Sequence, residues 1–148
     1  MRESTRAHAL RAARTCYDHL AGRLGVAVTE ALASTGVVHV AVDPDADPDP
    51  DPPVGHGHEL TFTLTDRGRT WLADLGAGVP GSVRPGRPLR YCVDWSEQRP
   101  HVAGWFGRAL LARMVELDWV TRAPRGRALR VTPDGRTGLR SALGLELP

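Results

Sequence analysis

Apolar residues in the first part of the chain recur every three or four positions, which is the spacing of one face of an amphipathic helix. The pattern covers residues 6–34 and is interrupted by Gly22 and Gly25. Because each glycine costs about 1 kcal/mol in a helix relative to alanine, the pair indicates that another helix approaches closely here. We therefore predict one helix over 6–34, or two helices that meet near Gly25.

Two β-rich segments follow this helical pattern. Residues 37–42 are mostly valine, and residues 59–64 alternate strictly between polar and apolar side chains. Both are predicted to be strands of one hairpin. The prolines and aspartates between them predict a disordered, extended insertion over 43–58. Asp66 is expected to cap a short helix over 67–75.

The second half of the chain is predicted to repeat this succession after a linker at 77–88, which is rich in glycine and proline. The next helix is expected to run from a cap at Asp94 or Ser96 to Leu117, with Pro100 inside its first turn. Two strands and a last helix are predicted to follow, over 119–122, 128–132 and 134–143.

One motif occurs twice and supports this interpretation. It has the form His-apolar-Ala-Gly-x-apolar-Gly, at 19–25 and 101–107. A Cys-x-Asp triplet precedes each copy, and Leu/Val-Thr-x-x-Gly follows each copy. A helix, a hairpin ending in such a motif and a closing helix are the back half of a winged-helix unit. The predicted fold is α+β and winged-helix-like, with two αββα repeats related by a pseudo-twofold axis, over residues 6–76 and 89–148.

Bulk composition narrows the class of protein. The 148 residues are 41% hydrophobic and 24% charged, which is typical of a soluble globular domain long enough to bury a core. No apolar run approaches the roughly 18–20 residues that cross a bilayer. The first residues lack the apolar segment of a signal peptide, which predicts a cytoplasmic protein with no membrane partner. Two cysteines do not make a disulfide framework, so they are expected to be free, buried or ligands.

The net charge of +2 conceals an uneven distribution. Residues 43–53 carry five aspartates, whereas residues 122–140 carry six arginines and a single acid, Asp134. A local basic excess of this kind suits a nucleic-acid backbone. A solvated arginine-rich surface explains it equally well. At the predicted second hairpin the candidates for DNA contact through phosphates or a minor groove are Arg122, Arg125, Arg127 and Arg130.

A set of cysteines and histidines is the main candidate site. If residues 16–19 are helical, their spacing places Cys16 and His19 on one face. Cys92 and His101 are the corresponding residues of the second repeat. If the repeats pack about a pseudo-twofold axis through their glycines, the four side chains converge as a Cys2His2 set, which suits tetrahedral Zn²⁺.

Two aspartates accompany this set, and two other interpretations remain open. Asp18 and Asp94 are placed to orient the imidazoles of a metal site. Alternatively, the two thiols face each other as a redox pair, or the cysteines are small buried side chains and the His and Asp residues form structural hydrogen bonds. Trp95 is a candidate wall of a small-molecule pocket between the repeats, with core packing as its other interpretation.

Enzyme motifs are not found. The sequence has no Gly-rich phosphate loop, no His-Glu-x-x-His motif and no nucleophile elbow. Cys92, His101 and Asp94 have the composition of a thiol triad, but the repeat explains them without catalysis, so we expect no enzyme. The segment His56-Gly57-His58 is expected to be a flexible surface loop rather than a metal site.

The segments 13–22 (ARTCYDHLAG) and 92–104 (CVDWSEQRPHVAG) resemble the C-terminal region of a subgroup of ArsR-type bacterial transcriptional regulators. The resemblance covers about residues 10–144. In that subgroup an N-terminal winged helix-turn-helix domain precedes this region, and no segment of the present sequence corresponds to it.

The resemblance implies a domain derived from a transcriptional regulator. Together with the Cys/His set and the basic hairpin, it predicts a domain that senses an effector or metal and contacts DNA through a basic wing. It further implies a homo-oligomer or a related regulator as partner. The alternative is a protein-interaction module derived from such a regulator, which pairs with an intact relative without binding DNA itself.

Overall fold

The chain forms five helices and nine short strands in the computed structural model, which describes residues 5–42 and 59–148. The fold is mixed α+β, and its strands form small antiparallel sheets. The elements are α1 (Thr5–Ala12), β1 (Arg14–Cys16), β2 (His19–Ala21), α2 (Gly22–Ser34), β3 (Val38–Val42), β4 (Leu60–Leu64), α3 (Asp66–Asp74), β5 (Pro88–Leu89), β6 (Tyr91–Val93), β7 (Pro100–Val102), α4 (Gly104–Glu116), β8 (Val120–Arg122), β9 (Leu129–Val131) and α5 (Pro133–Leu143).

The prediction of one helix over 6–34 is wrong. Two helices are present, as the alternative predicted, but the hairpin β1–β2 separates them and Gly25 lies inside α2. Strands β1 and β2 pair antiparallel through a tight turn in which Tyr17 has a φ of 59°. Gly22 begins α2 with a φ of 76°, which favours glycine. A Cβ at Gly22 would lie 2.8 Å from the carbonyl oxygen of Arg11, so the end of α1 approaches this glycine closely.

The helix predicted to begin at Asp94 or Ser96 begins later, at Gly104. Residues 100–102 are instead strand β7, which pairs with β6 so that Pro100 lies opposite Val93. Ala103 is the N-cap residue of α4. Asp94 does accept backbone N–H bonds from Ser96 and Glu97, but these bonds stabilise the turn between β6 and β7.

Both remaining hairpins were predicted correctly, and we call β3–β4 the first wing and β8–β9 the second wing. A helix follows each wing, α3 and α5, close to the predicted ranges. The N-cap of α3 is Thr65, whose hydroxyl accepts the N–H of Gly68, and not Asp66 as predicted. The predicted insertion at 43–58, including His56 and His58, lies outside the described residues.

Each wing is extended by a segment that precedes a hairpin of the other half of the chain. Beside the first wing, β5 places Leu89 opposite Phe62. Beside the second wing, the N–H of Leu129 donates to the oxygen of Ala13 (3.0 Å), and the N–H of Thr15 donates to the oxygen of Arg127 (2.9 Å). The two halves are therefore joined at both wings by backbone hydrogen bonds.

The core lies between α2 and α4 and the hairpins that precede them. α2 packs against β7, and α4 packs against β2. The most buried apolar side chains include Leu32, Leu72 and Phe106. None of the helices in the described ranges combines the length and the apolar character that crossing a bilayer requires.

Candidate metal centre

The structure brings together the four residues of the predicted Cys/His set. One potential ligand atom from each of Cys16, His19, Cys92 and His101 lies within 4.8 Å of every other. We call these four residues the Cys/His cluster. Both histidines are buried, and both cysteines are half-buried and form no disulfide.

The local geometry that produces this cluster is a pair of hairpins, and the helical spacing proposed from the sequence is wrong. Cys16 lies opposite His19 across β1–β2, and Cys92 lies opposite His101 across β6–β7. Partners in a strand pair have Cβ atoms about 4.5–5.5 Å apart, so each hairpin presents one thiol beside one imidazole. The hairpins of the two halves then meet at the cluster.

The two imidazoles face each other through the same ring atom. Nε2 of His19 lies 3.1 Å from Nε2 of His101. The other nitrogen of each ring lies next to a carboxylate, because Nδ1 of His101 is 3.0 Å from Asp94 and Nδ1 of His19 is 3.2 Å from Asp18. If both Nδ1 atoms carry the hydrogen, both Nε2 lone pairs point into the cluster.

Asp94 is the most heavily bonded side chain around the cluster. Its Oδ2 accepts from the N–H of Gly22 (2.7 Å), and its Oδ1 accepts from Arg14 (2.9 Å) and from the hydroxyl of Ser96 (2.8 Å). Burial acts to raise the pKa of the Asp94 carboxyl, but the hydrogen bonds from Gly22, Ser96 and Arg14 hold it well below its usual range. Asp94 is therefore a carboxylate at any physiological pH.

The protonation of two cluster residues is shifted by their surroundings. Burial, assisted by the neighbouring His19, lowers the pKa of His101 to about 4, so its imidazole is neutral near pH 7. Burial also raises the pKa of the Cys92 thiol to about 11, and the adjacent Cys16 thiol adds to this effect. Without a cation, Cys92 is thus a protonated thiol, which argues against a reactive thiolate at this position.

A cleft of about 730 Å³ opens beside the cluster. His19 and Cys92 line one part of it, and the Tyr17–Asp18 turn forms its rim. Tyr17 is 92% exposed there. Small solutes can therefore reach the Cys92 side of the cluster, whereas His101 is only 2% exposed.

The other predicted site residues lie away from the cluster. Trp95 is 51% exposed and is not among the residues that line the cleft. Its ring packs under the guanidinium of Arg14, 4.4 Å from the ring centroid. The four predicted DNA-contact arginines are all exposed on the second wing or its tip, namely Arg122, Arg125, Arg127 and Arg130.

Arg14 is a site residue that the sequence did not indicate. Its side chain is 1% exposed, and it donates to Asp94, to Ser96 and to the carbonyl oxygen of Leu10. All 19 basic residues of the chain are arginines, so nothing in the local sequence distinguishes the buried one. Its role becomes visible only when the two halves are placed together.

Comparison with other proteins relates the chain to bacterial transcriptional regulators of the HTH type. It is similar to the Bacillus subtilis (strain 168) protein named "Uncharacterized HTH-type transcriptional regulator YdfF", with 33% identity over 148 residues. The match covers 99% of this chain and 58% of that protein, so the chain spans less than two thirds of the relative. No protein-family model and no solved structure matches the chain. The similarity supports a transcription-regulator family, which is not an enzyme class.

Proposed function

We propose that the chain is the metal-sensing part of an ArsR-type transcriptional regulator that acts in the cytoplasm. It consists of two winged-helix-like repeats, 6–76 and 89–148, joined by a linker at 77–88. The Cys/His cluster between the repeats is the effector site, and the second wing is the DNA-contacting surface. The observation that carries the proposal is the convergence of two thiols and two imidazoles within 4.8 Å.

Reciprocal contacts support an internal twofold relation between the repeats. A Cβ at Gly25 would lie 3.6 Å from Cβ of His101, and a Cβ at the corresponding Gly107 would lie 3.0 Å from Cβ of His19. In the same way, each repeat places an extended segment beside the wing of the other repeat. Leu89 lies beside Phe62 of the first wing, and the corresponding Ala13 lies beside Leu129 of the second wing.

The spacing of the imidazoles supports a tetrahedral metal. With Zn–N bonds of about 2.0 Å, two imidazole nitrogens of a tetrahedral site lie about 3.3 Å apart. The two Nε2 atoms are 3.1 Å apart, which is close to that value. Metal-bound histidines usually donate their other ring N–H to a carboxylate, and Asp18 and Asp94 are placed to accept these bonds.

The donor types favour zinc over harder cations. Two sulfurs and two nitrogens suit Zn²⁺, whereas Mg²⁺ and Ca²⁺ require oxygen ligands. A coordinating thiol is deprotonated by the ion itself, so the raised pKa of Cys92 does not prevent binding. That raised pKa weighs against the redox-pair interpretation, because the thiolate is the nucleophile in thiol oxidation.

The chain purified from zinc-supplemented cells is expected to contain about one zinc per chain, held by the four-ligand site. Elemental analysis measures the zinc content. Loading the zinc-free chain with Co²⁺ is expected to give a thiolate-to-cobalt absorption band. The variant Cys92→Ser is expected to lose zinc affinity by more than the roughly 10–100-fold that loss of an outer carboxylate costs.

The matched control for this experiment is His39→Gln. His39 is an exposed histidine on β3, so its loss should leave zinc content unchanged. Zinc content that is low in the wild-type chain, or equal in the wild-type and Cys92→Ser chains, contradicts the metal proposal. The cluster would then be a purely structural set of hydrogen bonds.

The second wing supports the DNA-contact part of the proposal. Its four exposed arginines project from a two-stranded hairpin, and arginine is the side chain best suited to narrow minor grooves and phosphates. The tip end of this wing is bonded to β1, which carries Cys16. An effector bound to Cys16 is therefore one residue from Thr15 and three residues from Ala13, the two residues that bond to the backbone of the wing.

The double variant Arg125→Ala/Arg127→Ala is expected to weaken binding to random-sequence duplex DNA. If both arginines contact phosphates, the magnitude of the slope of log K against log salt should fall by about 2. Fluorescence anisotropy at several salt concentrations measures this slope. Arg84→Ala removes an exposed arginine outside the wing and should not change it.

Absence of salt-dependent DNA binding by the wild-type chain would overturn the DNA-contact proposal. It would favour the interaction module instead, in which the chain pairs with a second copy or with a related regulator. Light scattering of the chain alone and mixed with such a regulator would then measure the assembly.

A further inference from the structure

We propose that metal occupancy of the Cys/His cluster is transmitted through Asp94 and Arg14 to helix α1 and to the tip end of the second wing. This inference rests on the proposed metal function and concerns how that site is read by the rest of the chain. Asp94 and Arg14 are positioning residues in this proposal. They act through His101 and are not ligands of the ion.

The connection is a continuous series of hydrogen bonds between buried groups. Nδ1 of His101 lies 3.0 Å from Oδ2 of Asp94. Oδ1 of the same carboxylate accepts from Nη2 of Arg14 at 2.9 Å. Nη1 of Arg14 donates to the carbonyl oxygen of Leu10, in α1, at 3.0 Å. A cluster ligand is thus three bonds away from the backbone of α1.

Helix α1 is the first element that this connection reaches. None of its residues, Thr5–Ala12, is buried. Burial of apolar side chains is the main force that fixes a helix on a core, and α1 has only half-buried side chains where it packs against α2. The bond from Arg14 to Leu10 therefore adds a specific attachment to a helix that has no fully buried side chain.

The second wing is reached through the backbone of the same strand. Thr15, the residue after Arg14, donates its N–H to the oxygen of Arg127 (2.9 Å), and Leu129 donates to Ala13 (3.0 Å). A shift of Arg14 that moves β1 must move or break these bonds. The tip end of the second wing and α1 are accordingly expected to respond together.

Binding of a cation is expected to change which nitrogen of the facing imidazoles carries the hydrogen. Without a cation, one of the two Nε2 atoms, which are 3.1 Å apart, must carry a hydrogen for the pair to attract. A neutral ring with hydrogen on Nε2 has none on Nδ1 to donate to its carboxylate. When a cation binds both Nε2 atoms, the hydrogen stays on Nδ1 of both rings, and both Asp18 and Asp94 keep their imidazole donors.

The two carboxylates of the site differ in a way that makes one a control for the other. Asp94 bonds to both His101 and Arg14, so it connects the cluster to Arg14. Asp18 is about one-third exposed and, within the described residues, bonds to His19 alone. Asp18→Asn and Asp94→Asn each weaken the support of one metal ligand, but only the second interrupts the connection to α1.

Hydrogen–deuterium exchange of the full chain, measured with and without excess ZnCl2, tests the inference. Native mass spectrometry confirms that zinc is bound in each sample. In the wild-type chain, zinc is expected to slow exchange by about fivefold or more in 5–12 and in 126–130, while 66–74 is unaffected. The same protection is expected in Asp18→Asn and is expected to be lost in Asp94→Asn.

The outcomes separate this inference from the metal proposal. If no zinc binds to the wild-type chain, the metal proposal fails and the transmission fails with it. If zinc binds and exchange in 5–12 and 126–130 is unchanged, only the transmission is overturned, and this result does not depend on whether Asp94→Asn folds. Equal zinc protection in Asp94→Asn and Asp18→Asn also overturns it.

Discussion

Replacement of Asp94 by alanine is expected to lower the free energy of unfolding of the metal-free chain by about 3–5 kcal/mol, the usual cost of breaking a buried ion pair from one side. The carboxylate is fully buried and pairs with Arg14, which is 1% exposed. Its removal leaves a buried guanidinium without its counter-charge, and it leaves the N–H of Gly22 without its acceptor. Urea unfolding followed by circular dichroism measures the change.

Two comparisons show whether loss of the ion pair with Arg14 causes the loss of stability in Asp94→Ala. Asp18→Ala removes the corresponding, partly exposed carboxylate and is expected to cost about 1 kcal/mol or less, since exposed pairs contribute little. Arg14→Met/Asp94→Ala is expected to cost less than the sum of the two single changes, because no unpaired charge remains. Additive costs, or equal costs for the two aspartates, would contradict this account.

The same pair has a defined pH dependence. The pKa of Asp94 is lowered by folding, so its contribution to stability is present above the unfolded carboxyl pKa, about 3.9. It is lost as the pH falls below that value toward the folded pKa. Acid below about pH 3.9 therefore removes the stability that this pair contributes.

Sequence reasoning located the Cys/His cluster because it depended on the repeated motif and not on the local conformation. The matched motifs at His19 and His101 indicated that equivalent residues would meet across the two halves. The structure brings those residues together, although Cys16 and His19 are partners across a hairpin and not neighbours on a helix. A separation of three residues fits both one face of a helix and a tight hairpin. The spacing of Cys16 and His19 in the sequence therefore could not distinguish the two conformations.

The errors in secondary structure come from short strands. β1, β2, β6 and β7 are three residues each, which is too short for an alternating pattern to be recognised. Leu20, on a strand, also fits the three-and-four spacing of the helices beside it. The glycine that separates strand from helix is informative only once its φ is known, as at Gly22, with 76°.

The wings and their closing helices were predictable for the opposite reason. Residues 60–64 alternate over a full strand, and the register with β3 follows from that alternation. The cap of α3 was assigned one residue late, because Thr65 and Asp66 are both good N-cap residues. Only the hydrogen bond from Gly68 to the Thr65 hydroxyl decides between them.

The glycines of the repeated motif lead to the second large effect, which is expected at Gly107. A Cβ there would lie 2.6 Å from the oxygen of Val102 and 3.0 Å from Cβ of His19. Alanine is favoured over glycine within helices by about 1 kcal/mol, but overlap with a backbone carbonyl outweighs this gain. Gly107→Ala is expected to destabilise the chain by about 3 kcal/mol, at the upper end of overpacking costs.

This change is also expected to separate His19 from His101, because the added methyl group presses on the strand that carries His19. Zinc affinity should fall together with stability, measured by competition with a chelating dye and by urea unfolding. At Gly78 a Cβ would have no neighbour within 4 Å, so Gly78→Ala should leave both quantities nearly unchanged. At Gly25 a Cβ would also lie 2.6 Å from a backbone oxygen, that of Leu20, but 3.6 Å from the Cβ of His101. Gly25→Ala should therefore also lower stability, but it should disturb the metal site less than Gly107→Ala. If Gly107→Ala is as stable as Gly78→Ala and binds zinc equally well, the two halves do not pack as closely at the cluster as these distances require.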